Sequence, residues 1–497
     1  MVGKVNSGTV LASTMDNPQP SPTTLNSERA LDLSAEQMQA MVDTAMARIR
    51  AFIRTLPEQP VDGSGDADPA FLRSLHEPVP EAPAPLDGLL DQIFDELAPL
   101  ALNPASPGFL GYVPGGGILH TAVADLISNT LNRYVGVVGV APGLNQLEAN
   151  VVRWFCDILG YPADARGFLT TGGSLANWSG LVTARQARLG EDFLGGVIYA
   201  SDQVHHCVEK AARLAGFPAG NVRLLPSDAG YRLSADVVRE AVAADRERGL
   251  TPAILVASAG TTNTGAVDPL PELAALAKRE NLWFHVDAAY GGFFRMTARG
   301  REILRGLELA DSIVVDPHKT LFLPYGTGAL LVRDGAALSA AHTSGADYMP
   351  LMQDDDDFMD FCELSPELTR PFRGLRVWLP FKLHGAGVFR DYLDEKLDLA
   401  RWIAARIAGL NELDILAPPE LSIMAFAVKD RGQSLEERNS ETRALMQRIN
   451  ARQRVYLTGT LLRGVYVIRI AVVVFRAHQE RMDMLLEDLE SALRETG

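Results

Sequence analysis

Two short segments carry residue types that could do covalent chemistry. Asp316, Pro317, His318 and Lys319 directly follow the apolar run Ser312 to Val315. A lysine at the carboxyl end of a buried parallel strand stands where ligands bind in open α/β sheets. Burial lowers its pKa towards the neutral amine that Schiff-base chemistry needs. The second segment, His285, Val286, Asp287, Ala288, Ala289, Tyr290, Gly291 and Gly292, is again a strand running into small residues. An aspartate at such a strand end can hold a ring nitrogen protonated while the small residues let a flat ring lie close. Each feature alone has an ordinary reading, a surface lysine or a turn-capping aspartate. Their coincidence with an anion loop is what gives them weight.

That loop is Thr170, Thr171, Gly172, Gly173 and Ser174, between a strand and a helix. Glycines let backbone N–H groups approach an anion, Ser174 adds a hydroxyl, and the helix contributes its positive N-terminus. It lacks the Gly-Lys-Ser/Thr ending of a nucleotide P-loop and the spacing of a dinucleotide fingerprint. Ser201 to His206 follows another strand and could set His205 over a flat ring, and Ser258 to Thr262 brings hydroxyls to the same sheet edge. Two adjacent histidines without further ligands at matching spacing do not make a zinc site, and no metal is expected.

These residues require a particular scaffold. Between Gly111 and Val332, β-branched runs alternate with helical stretches, the pattern of crossover units and a mostly parallel sheet. Strands are predicted at 168–170, 196–200, 253–258, 283–286, 312–315 and 328–332, with helices at 145–159, 175–189, 206–214, 235–248 and 270–280. Five strand ends then face one crevice. After Pro371 a long helix (375–408), strands at 423–428, 455–457 and 465–474 and a final helix (477–493) indicate a smaller α+β domain. At the other end, residues 1–28 read as a loose tail without the apolar core of a signal peptide. An amphipathic helix follows from Ser34 to Leu56, opened by a Ser34/Gln37 capping box, and a second near 86–98. The expected organisation is thus a tail (1–28), a helical segment packing on a partner (29–110), a large domain (111–374) and a small one (375–497).

Composition excludes several classes. The chain has 497 residues, with 46 Lys and Arg against 62 Asp and Glu for a net charge of −16, which argues against a nucleic-acid binder. A hydrophobic fraction of 47% rules out a mostly disordered chain. The apolar run 465–475 is interrupted by Arg469 and too short to span a bilayer, so no membrane anchor is expected. Cys156, Cys207 and Cys362 are too few and too scattered for a disulfide framework and fit a reducing cytoplasm. The acidic run Asp354 to Asp357 reads as a solvated loop.

Together these motifs resemble the group II pyridoxal-phosphate (PLP) decarboxylases, most closely the aromatic-L-amino-acid branch. The resemblance runs from about Pro107 to the C-terminus, carried by Asp-Pro-His-Lys (316–319) and His-Val-Asp-Ala-Ala-Tyr (285–290). It implies an aspartate-aminotransferase-like α/β fold (fold type I), a homodimer with the active site at the interface, and PLP as cofactor. Carried over, Lys319 forms the Schiff base, Asp287 binds the pyridine nitrogen, His205 stacks on one ring face and Ala289 lies against the other. Gly172, Gly173, Ser174, Asp316 and His318 hold the phosphate, with Thr262 beside the ring and His318 also a candidate acid. Tyr112, Pro114 and Gly115 match the substrate-lining stretch.

Three positions depart from the family pattern. The loop tyrosine that donates a proton in the aromatic branch aligns with Phe361, with Tyr348 thirteen residues upstream as the alternative match. The phosphate-contacting asparagine is Asp316, expected to be protonated or to cap a neighbouring helix. Gly115 to Gly117 and Thr320 imply a wider pocket. The resemblance therefore implies decarboxylation of an aromatic or other bulky L-amino acid to its amine. The loss of the hydroxyl at 361 leaves oxygen-dependent conversion to an aldehyde as the alternative, and a PLP-binding protein without turnover as the third. Arg469 is expected in a structural ion pair, a carboxylate-binding role for transamination being the other possibility.

Overall fold

The computed structural model describes residues 31–343 and 358–495. The tail 1–28, Tyr348 and the acidic run 354–357 lie outside the described residues. The described residues fall into two compact units, one holding 31–54 and 78–97 and the other 55–77 and the described residues from 98 onwards. This division differs from the expected 29–110 segment, because the 55–77 connection belongs to the larger unit. Leu56 and Val61 are buried there, and the Val61 carbonyl accepts from Asn103 N at 3.0 Å.

In the smaller unit, the helix Ala35–Thr55 is opened by the Ser34/Gln37 box, with Ser34 N donating to Gln37 Oε1 at 2.9 Å. The second helix begins at Leu86 and loosens into a π-helical turn over Gln92–Leu97. Arg48 bonds Asp95, and Phe52 faces Phe94 with ring centroids 6.1 Å apart.

The larger unit is built on two sheets. The first comprises β1 (Arg166–Thr170), β2 (Gly196–Ser201), β3 (Val222–Leu225), β4 (Thr251–Ser258), β5 (Trp283–Asp287), β6 (Ser312–Val315) and β7 (Gly328–Val332). Their order is β1-β7-β6-β5-β4-β2-β3. The pairs β3/β2, β2/β4, β4/β5 and β5/β6 are parallel, and only β7 runs against its neighbours. Strands β2, β6 and β7 are buried throughout and β4 and β5 nearly so, as expected for a sheet covered by helices on both faces. This is the α/β architecture of fold type I.

The second sheet, β8 (Leu413–Ala417), β9 (Ile423–Val428), β10 (Thr458–Leu462) and β11 (Val465–Ala471), is antiparallel in the order β10-β11-β9-β8. The helices Leu435–Asn450 and Gln479–Arg494 contribute Leu445, Ile449, Leu485 and Leu489 to its own apolar cluster. The long helix expected at 375–408 spans Gly374–Ala408 but is interrupted at Gly385, whose backbone (φ 72°) is not helical.

Two strand expectations are corrected. Residues 455–457 form only a bridge, Tyr456 with Phe109, and the true strand starts at Thr458. The strand expected to reach Val474 stops at Ala471, because the chain turns there to bond the 110–115 stretch. Ala471 N donates to Leu110 O at 2.8 Å and Phe475 N to Gly115 O at 3.2 Å. Among the described residues, no helix is long and apolar enough to cross a membrane.

Candidate active site

The carboxyl ends of β1, β2, β4, β5 and β6 surround one cavity of about 330 Å³. Each strand stops where small or polar residues end its apolar run, so every turn places its first side chains at the same sheet edge. The lining includes Gly172, Gly173, Ser174, His205, Thr262, Asp287, Ala289, Asp316, His318 and Lys319. All ten residues expected around a cofactor therefore meet in one place. Asn177, Cys207 and Tyr290 also line it.

Gly172 caps the seventeen-residue helix Gly173–Leu189, whose N-terminus opens into the cavity. Across from it, Asp316 is buried. A side chain added at Gly173 would lie 2.9 Å from Asp316 Oδ2, which shows how near this carboxylate stands to the helix N-terminus. Asp316 Oδ2 pairs with Lys319 Nζ at 3.1 Å and lies 3.7 Å from His318 Nε2. Oδ1 has no hydrogen-bond partner among the described residues, and the carboxyl caps no helix, contrary to one of the two expectations for it.

The lysine also behaves differently from expectation. Burial pulls the Lys319 ammonium down, but Asp316 and Asp287 together push it up by more, so the net direction is upward. Burial alone would have left a neutral amine; two facing carboxylates keep this one charged.

His318 bonds the Thr327 carbonyl through Nδ1 at 2.6 Å, which fixes the proton on that nitrogen, and burial holds the imidazole below its ordinary range. At neutral pH its Nε2 is therefore an acceptor. His205 is likewise lowered, by burial first and opposed by Asp287, and its Nδ1 accepts from Cys207 N at 3.3 Å. Burial pushes the Cys207 thiol up to about 12, so it remains a thiol.

Asp287 ends β5. Its Oδ1 accepts from Ala289 N at 3.1 Å and its Oδ2 from Asn177 Nδ2 at 3.1 Å. Asn177 sits inside a helix and was not among the residues singled out by sequence reasoning. Its signal is the alternation Trp283, His285, Asp287, which puts three polar groups on one face of a buried strand and demands a polar partner from the helix above.

The substrate-side residues divide. Gly115 is pressed against the lysine turn: its N donates to His318 O at 3.1 Å, and a Cβ would fall 2.5 Å from Lys319 O, a spacing only glycine allows. Pro114 is buried beside it, and Tyr112 is exposed, its ring 6.3 Å from that of Phe109. None of the three lines the cavity within this chain. Phe361 does not line it either. It is fully buried in the core with the Arg370 guanidinium 4.8 Å above its ring, and Arg370 in turn pairs with Glu148 at 2.5 Å.

Arg469 makes no ion pair among the described residues, correcting that expectation. It donates to Asn263 O at 3.0 Å, to Thr458 Oγ1 at 3.1 Å and to Thr262 O, tying the second sheet to the loop that carries Thr262.

The residues fit a phosphorylated pyridine cofactor: a helix N-terminus for the anion, an amine, and a carboxylate held by two N–H donors. Comparison with known proteins agrees. The sequence profile described as the pyridoxal-dependent decarboxylase conserved domain matches residues 69–429. The chain belongs to this family. It is 32% identical over 470 residues to an aromatic-L-amino-acid decarboxylase of Bacillus atrophaeus, covering 94% of this chain and 98% of that one. Among solved structures, Oryza sativa TDC with PLP and tryptamine superposes with a TM-score of 0.88 at 26% identity, covering 94% of this chain and 99% of the other. The Catharanthus roseus tryptophan decarboxylase in complex with L-tryptophan gives 0.86 at 26% identity, covering 94% and 100%. As a member of this family the chain is a PLP-dependent carboxy-lyase acting on an amino acid.

Proposed function

We propose that this decarboxylase acts on an aromatic or similarly bulky L-amino acid and releases the amine and carbon dioxide. The observation that carries the reading is the meeting of Lys319, Asp287 and the Gly172–Ser174 turn in a single cavity, together with the family's relatives. Bound PLP supplies the electron sink that takes up the pair left when the carboxylate departs.

In this reading Lys319 would hold the cofactor through its side-chain amine. Asp287 keeps the ring nitrogen protonated. His205 and Ala289 would flank the ring, and the Gly172–Ser174 turn at the helix N-terminus would hold the phosphate beside Asp316 and His318. Thr262 lies at the ring substituents. The free Lys319 amine would sit beside Asp316, which favours its protonated form, and would be the proton donor for the substrate Cα. His318, with Nε2 unprotonated, accepts rather than donates.

Phe361 lacks a hydroxyl, which favours the second reading, oxygen-dependent release of an aldehyde. Its burial under Arg370 favours the amine, because the cavity does not rely on that side chain. Incubating the PLP-loaded protein aerobically with a panel of L-amino acids and measuring carbon dioxide, amine, aldehyde and peroxide separates the two. Amine without peroxide supports the proposal, and aldehyde with matching peroxide overturns it.

A homodimer completes the proposal. Leu119, Val123, Leu126 and Ile127 form an exposed apolar stripe at helical spacing on Leu119–Leu131, with Leu383 and Val388 exposed on Gly374–Ala408. Such a surface supports contact with a second copy. Tyr112, Pro114 and Gly115 would serve the substrate at that shared site. The helical segment 29–110 is proposed to pack on the partner, and three free cysteines support a cytoplasmic setting.

A further inference from the structure

We propose that Asn177 and His285 are positioning residues that fix the Asp287 carboxylate through a hydrogen-bond chain with one permitted direction, anchored at Trp283 and Ser312. The proposal rests on the reading of Asp287 as the ring-nitrogen partner.

The chain is continuous. Trp283 Nε1 donates to Ser312 Oγ at 2.8 Å, and Ser312 Oγ meets His285 Nδ1 at 2.7 Å. His285 Nε2 meets Asn177 Oδ1 at 2.9 Å, and Asn177 Nδ2 donates to Asp287 Oδ2 at 3.1 Å and to Gly173 O at 2.9 Å. Trp283, His285 and Asp287 alternate along one face of β5, and Ser312 is the register partner of His285 on β6. The helix Gly173–Leu189 can approach this face because residue 180 is glycine: a Cβ there would fall 2.7 Å from His285 Cε1. Asn177, His285 and Ser312 are fully buried.

Both ends of the chain have a fixed polarity. An indole N–H can only donate and an ionised carboxylate can only accept. The Asn177 amide must therefore turn its NH₂ towards Asp287 and Gly173 and its oxygen towards His285. That oxygen needs a proton on His285 Nε2, which leaves Nδ1 bare to accept from the Ser312 hydroxyl. Every donor then meets an acceptor with His285 neutral. A second proton on Nδ1 would turn Ser312 Oγ into an acceptor from both Trp283 and His285 and leave its own proton without an acceptor in the chain. Burial, opposed only in part by Asp287, pulls His285 down to about 4, in keeping with a ring that stays neutral. The other ionisable groups lining the cavity are His205, Cys207, Tyr290, Asp316, His318 and Lys319, and of these only Cys207 touches the chain, its Sγ accepting a long 3.5 Å contact from Asn177 Nδ2.

The test compares Asp287→Ala, Asn177→Ala and Ser312→Ala by two readouts: the PLP dissociation constant, and the pH midpoint at which the absorbance of bound PLP changes. Asn177→Ala is expected to weaken PLP binding about tenfold or more, the worth of a hydrogen bond to a charged group, and to move the midpoint to lower pH. Ser312→Ala, which does not line the cavity, moves the midpoint the same way by less, and Ser312→Thr, which keeps the hydroxyl, restores it. If Asn177→Ala and Ser312→Ala both keep the parent affinity within about twofold and the parent midpoint, the proposal is wrong. Should Asn177→Ala fail to fold, the Ser312 pair decides. If Asp287→Ala itself binds PLP as the parent does, the underlying reading of Asp287 fails instead.

Discussion

The two walls of the cavity are built on opposite plans. The wall at Asp287 is finished: both carboxylate oxygens have donors, and the partners behind them are buried and satisfied back to Trp283. The wall at Asp316 is charged and incomplete, with a buried carboxylate whose Oδ1 has no partner among the described residues and whose Oδ2 pairs with the Lys319 ammonium, the His318 imidazole standing 3.7 Å away. A finished polar network holds one geometry, whereas one built on an ion pair rearranges when a partner changes charge. The difference assigns orientation to the first wall and proton movement to the second.

Substitution at Lys319 tests the charged wall most severely. Lys319→Ala is expected to reduce decarboxylation by at least about a thousandfold, since among the described residues no other amine lines the cavity. Turnover within about tenfold of the parent, measured as carbon dioxide release, would remove Lys319 from the mechanism.

The finished wall should show itself in the stability of the cofactor-free protein. His285 has an ordinary pKa of 6.5 unfolded and about 4 in the fold. A depressed value means that the unfolded chain binds the extra proton first. The stabilisation is thus complete above pH 6.5 and lost as pH falls towards 4, on the order of 3 kcal/mol for this one group. Thermal unfolding between pH 7 and 5 should reveal the slope, and His285→Gln should flatten it. An equally steep slope in the variant would place the effect elsewhere, His342 being the next candidate because burial also pulls it down to about 4.

A smaller effect belongs to Asp316→Asn. Asp316 is the larger of the two influences that raise Lys319, so its neutralisation lowers the lysine and moves the pH dependence of PLP loading to lower pH. An unchanged profile, followed by absorbance, would show that Asp287 alone keeps the lysine charged. Smallest of all is Cys207→Ser: the thiol stays protonated and its one tie to the Asp287 wall is the long 3.5 Å contact from Asn177 Nδ2, which a hydroxyl can also accept, so kcat should stay within about twofold.

The two walls were not equally legible in the sequence. Asp316, His318 and Lys319 follow a run of β-branched residues, and Asp287 closes another, so strand ends and chemistry coincide in one reading. Asn177 lies mid-helix, where a polar residue reads as a surface position until the face of β5 beneath it is known. Three strands were missed or misplaced, β3, β8 and β10, and two of them share a cause. β3 is a half-buried edge strand containing Arg223, and β10 is Thr-Gly-Thr at its start, so neither shows the apolar run that marks the central strands. Phe361 illustrates the converse: its place in the alignment suggested a role at the substrate, while its environment, an apolar core capped by Arg370, depends on contacts across more than two hundred residues.

The most direct test of the whole account is where the cofactor attaches. The PLP-loaded protein, reduced with borohydride and digested, should carry the pyridoxyl mass on the single peptide that contains Lys319, in an amount close to one per chain, and Lys319→Ala should carry none. Label on any other lysine, or no label in a protein that still releases carbon dioxide, would contradict it.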